Sequence, residues 1–247
     1  MTFAFSPQSV ARLAPNGVLR AAINLGNPVL AQRKDNDDLA GVSVELAREL
    51  ARQLGVKLEF VVFNAAGKVF EALASDGWDI AFLAIDPLRS EQIAFTSAYV
   101  LIEGTYLVRH DAPYQGSHEL DRDGARISVG TGSAYDLYLT RNLKHAHIER
   151  YAGAALAFDS FLEQGLDAAA GVRQVLDALA SLRDDLRVLD DSFMTISQAI
   201  GVPKARGEAA ALLESFIEAM KAQGFVYDAL LRSGQTGATV APATGSR

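Results

Sequence analysis

The apolar positions change period repeatedly along the chain, and the changes mark out its elements. Val18-Leu19-Arg20-Ala21-Ala22-Ile23 is a short apolar run ending in the turn-forming segment Asn24-Leu25-Gly26-Asn27-Pro28, which predicts the first strand of a buried sheet. Ala47, Leu50, Ala51 and Leu54 then recur at helical spacing, with Ser43 as the expected N-cap and Gly55 as the stop. A strand over 57–63 follows at once. A short helix through Val69, Phe70 and Leu73 leads to Gly77-Trp78-Asp79 and the fully apolar run Ile80 to Ile85. Strands alternating with helices at this spacing indicate βαβ units and a mostly parallel sheet, since parallel strands need a crossover and helices supply it.

The polar stretch 111–126, with Pro113, Gly116 and Gly124, reads as a boundary, and the alternation starts again beyond it. Ile127-Ser128-Val129 is a strand. The loop Gly130-Thr131-Gly132 leads into Ser133-Ala134-Tyr135-Asp136, which has the spacing of a capping box with Asp in place of the usual Glu. A helix through Leu137, Tyr138 and Leu139 therefore starts at Ser133. A helix over 154–164 stops at Gly165, and Asp167 opens the small-residue strand Ala168-Ala169-Ala170-Gly171-Val172. A strand near Gln198 to Val202 precedes a long amphipathic helix carrying Leu212, Leu213, Phe216, Ile217 and Met220. The tail from Gly234 to Arg247, rich in Gly, Thr and Ala, is expected to fray.

Composition narrows the classes. The 247 residues are 49% hydrophobic and carry a net charge of −7, which suits a folded protein with a real core and excludes disorder and fibrous repeats. The acidic balance argues against nucleic acid or an anionic membrane as the partner, because both need a basic footprint. With no Cys there is no disulfide framework, thiolate metal site or cysteine nucleophile. The opening MTFAFSPQSVARLAP lacks the apolar run of an export signal, and no run of about 18 apolar residues marks a membrane span. As written the chain reads as cytoplasmic; the alternative is a mature exported protein trimmed of its signal.

Gly41-Val42-Ser43-Val44-Glu45-Leu46-Ala47, Gly77-Trp78-Asp79-Ile80, and Asp86-Pro87-Leu88-Arg89 followed by Phe95-Thr96-Ser97-Ala98-Tyr99 resemble successive signatures of the bacterial family 3 solute-binding proteins, the amino-acid receptors of ABC importers. Val129-Gly130-Thr131-Gly132-Ser133 and Gly165-Leu166-Asp167-Ala168 follow in the same order. The resemblance implies an α/β, two-lobed periplasmic-binding-protein-like fold of type 2. Each lobe is then a mostly parallel sheet flanked by helices, joined by two hinge crossovers, with the ligand held in the cleft. Lobe 1 is expected over 1–107 and 200–247, and lobe 2 over 108–199. It also implies a non-catalytic monomer without a cofactor, a periplasmic location, a small carboxylate-bearing ligand and the membrane subunits of an ABC importer as partner.

Roles carry over one residue at a time. Arg89 stands where the family grips the ligand's α-carboxylate, and a planar two-pronged guanidinium suits that task. Ser133, with the amides of Gly132, Ala134 and Tyr135, matches the second-lobe anion contact, where a helix N-terminus presents unpaired N–H groups. Val172 occupies the position where amino-acid-binding members place an acidic residue for the ligand's ammonium. Ala84 stands where small hydroxyl residues are common, Asp86 replaces a common Thr, and Asn27 replaces an aromatic lid. Arg173 offers a second positive charge if it faces the cleft. These departures lean toward an organic acid without a free α-ammonium, dicarboxylates included.

Other chemistry is thin. Gly130-Thr131-Gly132 is no dinucleotide fingerprint, because Tyr135 stands where the third Gly belongs. His145 and His147, at i,i+2, lack a third ligand nearby. The family is also similar to a cyclohexadienyl dehydratase, so an enzyme on the same fold is the alternative, with Asp86, Glu103 and Asp136 as its acidic candidates.

Overall fold

A computed structural model describes residues 5–245. Helix α1 (Pro7–Leu13) precedes strand β1 (Val18–Asn24), in which Leu19, Ala21, Ala22 and Ile23 are completely buried. The two-residue strands β2 (Gln32–Arg33) and β3 (Leu39–Ala40) form a small hairpin ahead of α2 (Val42–Leu54). There follow β4 (Lys57–Phe63), α3 (Ala66–Glu71), β5 (Ile80–Ala84), the single-turn α4 (Pro87–Ser90) and the 17-residue β6 (Ile93–Arg109).

The chain divides into two units. One comprises Met1–Asn64, Lys68–Leu101 and Ser197–Arg247; the other comprises Ala65–Gly67 and Ile102–Ile196. In unit one, β1 pairs in parallel with β4 from Val18↔Lys57 to Asn24↔Phe63, and with β5 at Ala21↔Ile80. Helix α2 buries Val44, Ala47, Leu50, Ala51 and Leu54, while Arg48, Glu49 and Arg52 lie outside that stripe. Its N-cap is Gly41, not Ser43. The reason is a close approach: Gly41 has φ 109°, and a Cβ there would lie 2.4 Å from the Leu30 carbonyl oxygen. Ser43 is instead buried in the first turn, where its hydroxyl hydrogen-bonds the Tyr99 hydroxyl at 3.0 Å.

Unit two contains β7 (Arg126–Gly130), α5 (Ala134–Asn142), β8 (His147–Tyr151), α6 (Ala154–Glu163), β9 (Ala168–Val172), α7 (Arg173–Ala180) and β10 (Leu186–Val188). Strand β7 is parallel to β8 and β9, while β6 runs antiparallel to β9 through Gly104↔Val172 and Leu107↔Ala169. Its core gathers Leu107, Phe161, Leu166, Ala169, Leu176 and Leu186. The polar stretch 111–126 lies inside this unit. Its polar groups satisfy loop backbone: Glu119 accepts from the Gly116 amide at 3.0 Å, and Asp121 accepts from the amides of Lys144, His145 and Ala146. Apart from the short segment Ala65–Gly67 at the start of α3, which groups with unit two, the chain passes between the units at Leu101–Ile102 and Ile196–Ser197, within β6 and within β11 (Met194–Pro203).

Unit one is completed by α8 (Glu208–Ala222), α9 (Phe225–Arg232) and β12 (Thr239–Val240). The expected fraying of the tail does not occur through residue 245. Strand β12 pairs with β6 at Thr239↔Leu101 and Val240↔Val100, and Thr244 binds the carboxylates of Glu214 and Glu218. Residues 1–4, 246 and 247 lie outside the described chain.

Candidate functional site

In unit one, β5 ends at Ala84, and Asp86 turns the chain into α4 by accepting from the Leu88 amide at 2.9 Å, an N-cap reinforced by Pro87 in the first turn. This puts Arg89 in the helix with only 1% of its surface exposed. Its Nη1 donates to the Ala84 carbonyl at 3.0 Å. Burial lowers its pKa to about 10, and the nearby Asp86 charge opposes that shift. A guanidinium taken from water in this way is costly, so its environment has to supply compensating acceptors. Asn27 is also buried, but its Oδ1 accepts from the Val29 amide at 3.2 Å, which spends it on its own turn.

In unit two, Ser133 caps α5 as expected, its hydroxyl accepting from the Asp136 amide at 3.1 Å. The reciprocal bond falls one residue early: Asp136 Oδ2 accepts from the amide of Gly132 at 2.8 Å. Asp136 is further held by Arg150 at 2.9 Å. By helix geometry the next amides, those of Ala134 and Tyr135, have no acceptor within α5. The Tyr135 hydroxyl lies close against Gly130, and burial raises its pKa.

Val172 ends β9 at the N-cap position of α7 and is 8% exposed. Arg173 does not stand ready as a second free cation. Its Nε pairs with Glu103, Nη1 donates to the Leu189 carbonyl at 3.0 Å, and Nη2 donates to the carbonyls of Asp190 and Asp191 at 3.0 and 2.9 Å. Sequence spacing gave no sign of this, because the acceptors lie on separate segments. Three aromatic residues that the sequence did not mark as site residues gather in the same unit. The Phe193 ring lies 4.6 Å from that of Tyr106 and stacks on that of Tyr138 at 5.9 Å with 26° between planes.

Lys68 pairs with Glu71 at 2.7 Å, and Tyr99 is completely buried, with burial raising its pKa. Trp78 is packing, its indole donating to the Val69 carbonyl at 2.8 Å. Asp79 beside it accepts from Arg20 and Arg206. Among the described residues no three ligand-type side chains converge on a metal position. A groove of about 390 Å³ in unit one is lined by Lys34, Arg48, Arg52, Arg232, Glu45 and Glu49, and none of the candidate residues borders it.

Two α/β units, each with a mostly parallel sheet flanked by helices and joined within two strands, have the architecture of the type 2 periplasmic binding proteins. The chain belongs to the bacterial extracellular solute-binding proteins, family 3, whose model matches residues 19–232. Among curated relatives it is 30% identical over 141 residues to the cyclohexadienyl dehydratase of Pseudomonas aeruginosa, a match covering 56% of this chain but only 52% of that one. It is 21% identical over 216 residues to the L-cystine-binding protein TcyJ of Escherichia coli, covering 86% of this chain and 81% of that one. Among solved structures it resembles the solute receptor for L-cysteine of Neisseria gonorrhoeae, with TM-score 0.79, 22% identity and coverage of 91% and 92%. At that identity the likeness speaks for the fold alone. No helix among the described residues is long and apolar enough to cross a membrane.

Proposed function

We propose that this protein is a non-catalytic receptor for a small carboxylate lacking a free α-ammonium group, with Arg89 as the carboxylate anchor and the first turn of α5, from Gly132 through Ser133 to Ala134, as an anion contact. The reading rests first on Arg89, a buried guanidinium beside the end of β5, standing where the motif resemblance implies a carboxylate grip. Ala84 and Asp86 build the turn that holds it. Val172 supplies no charge for an ammonium, and burying that cation unpaired is strongly unfavourable. Arg173 is engaged by Glu103 and three carbonyls, which weakens the case for a second anionic end.

The alternative, a dehydratase, needs a carboxyl able to exchange a proton with substrate. Its three candidates are all engaged: Asp86 caps α4, Asp136 binds Gly132 and Arg150, and Glu103 pairs with Arg173. The extracellular character of the family favours work outside the inner membrane, with delivery to an ABC importer.

The test is thermal-shift screening with matched pairs, each amino acid against its deaminated analogue at equal concentration and pH. A ligand at 100 times its dissociation constant adds about 2.7 kcal/mol, or roughly 5–11 °C for a chain this long. The deaminated member should give the larger shift. A large shift with the amino acid and none with its partner acid overturns the reading of Val172.

A further inference from the structure

Side chains that face each other across an antiparallel pair lie on the same side of the sheet, and alternate residues share that side. With Gly104↔Val172 and Tyr106↔Ala170 in register, the face of β9 that carries Val172 also carries Gly104 and Tyr106 of β6. Gly104 has no side chain there, and Phe193 and Met194 occupy the space: a Cβ on Gly104 would lie 3.1 Å from the Phe193 ring and 2.8 Å from Met194 Cγ. Tyr138, five residues after the Ser133 cap of α5, stacks on Phe193. The Phe193 and Tyr138 rings are only partly buried, while Tyr106 behind them is 1% exposed. A chain of rings therefore runs from the Val172 end of β9 to α5.

The segment bearing Phe193 is held firmly. Its amide donates to the Gly104 carbonyl at 3.0 Å, and the Thr105 hydroxyl binds the carbonyls of Leu189 and Asp191. The Arg173 guanidinium binds the three carbonyls of 189–191 as well. Half-buried rings held by a fixed backbone, on the sheet face that carries an apolar Val172 rather than a charge, leave aromatic surface open to contact by another ring. Aromatic pairs favour offset or tilted contacts with centroids about 4.5–7 Å apart.

We propose that Tyr138 and Phe193 form a specificity wall for the ligand's body, making the ligand class an aromatic carboxylate; this rests on the carboxylate-receptor reading above. The experiment is calorimetry with phenylpyruvate, pyruvate and 2-oxoglutarate on the wild type and on Phe193→Leu, Tyr138→Ala and Tyr138→Phe, with circular dichroism of each variant. Phenylpyruvate should bind the wild type at least about tenfold more tightly than the other two acids. Phe193→Leu, which keeps apolar volume near Tyr106, and Tyr138→Ala should reduce that ratio severalfold without changing pyruvate affinity, and Tyr138→Phe should retain it. Equal affinities in the wild type, or a ratio untouched in folded variants, overturn the wall while leaving the carboxylate reading intact. Failure of all three acids to bind overturns both.

Discussion

Asp79 should carry more of the stability of unit one than any surface ion pair, and its removal gives a quantitative test of how the strand ends are held. Its carboxylate is 2% exposed and accepts four hydrogen bonds: Oδ2 from the Arg20 amide at 2.9 Å and Arg20 Nε at 3.2 Å, Oδ1 from Arg20 Nη2 at 2.8 Å and Arg206 Nη1 at 2.7 Å. It thereby ties β1, the entrance to β5 and the turn after β11. Burial by itself would raise its pKa, but the bonds from Arg20 and Arg206 outweigh that and hold it below its ordinary value.

Breaking a buried charge pair by removing one partner costs about 3–5 kcal/mol. The Arg20 and Arg206 side chains are 29% and 24% exposed and keep a second partner in Asp76, so the lower end applies. Asp79→Ala should thus cost about 3 kcal/mol, a fall in Tm of roughly 6–12 °C. Asp76, whose side chain is 68% exposed, is the control, and Asp76→Ala should cost less than about 1 kcal/mol. Urea denaturation followed by circular dichroism measures both, and unchanged m-values license the comparison. Equal costs for the two variants, or an Asp79→Ala loss below about 1 kcal/mol, would refute the reasoning.

Arg89→Ala should weaken whichever carboxylate the thermal screen selects by about 2–5 kcal/mol, read by calorimetry beside a circular-dichroism check of folding; unchanged affinity removes Arg89 from the site. Ser133→Ala should cost about 1 kcal/mol of stability through the lost cap, and a simultaneous loss of affinity would separate an anion contact from a cap alone. Burial opposes ionisation of Glu218, yet bonds from Lys221, Ser97 and Thr244 hold its carboxyl down at about 2 from an ordinary 4.5. Because the folded pKa is depressed, its stabilisation is full above pH 4.5 and is lost as pH falls toward 2, so Glu218→Gln should flatten the acid limb of a stability–pH curve.

What could be read in the chain was what depends on near neighbours. The strand over 57–63 is β4 to the residue, since an apolar segment bounded by Gly55 and Asn64 has one place to begin and end. Gly55 closes α2 in the left-handed conformation, as its position suggested. Strand β6 was not legible: its stretch from Ile93 to Arg109 mixes periods because different parts of it meet β11, β9, β10 and β12. Ser43 misled because a serine before a helical stripe looks like a cap, whereas the backbone approach that demands Gly41 involves Leu30 and Ala31. At the site, Arg89 and Ser133 stood in motifs. The engagement of Arg173 did not, since its acceptors come from positions 103 and 189–191, and the Tyr106–Phe193–Tyr138 stack draws on three separate segments.

A receptor and a dehydratase on this fold differ in one requirement, a carboxyl whose proton is available near neutral pH. Asp177, one turn beyond Arg173 on α7, has a raised pKa; burial is the larger cause, Arg173 opposes it and Glu103 adds to it. That combination is what a helix surface with a like-charged neighbour produces. Asp177 is exposed, so solvent screens the coupling, and a group wetted in this way gains little of the shift that general acids need. Asp177→Asn should therefore leave carboxylate affinity unchanged. Wild type and variant alike should release no product from cyclohexadienyl acids, followed by ultraviolet absorbance and chromatography. Turnover in the wild type that disappears in Asp177→Asn, with folding preserved, would make Asp177 the proton donor and would replace the receptor reading with an enzymatic one.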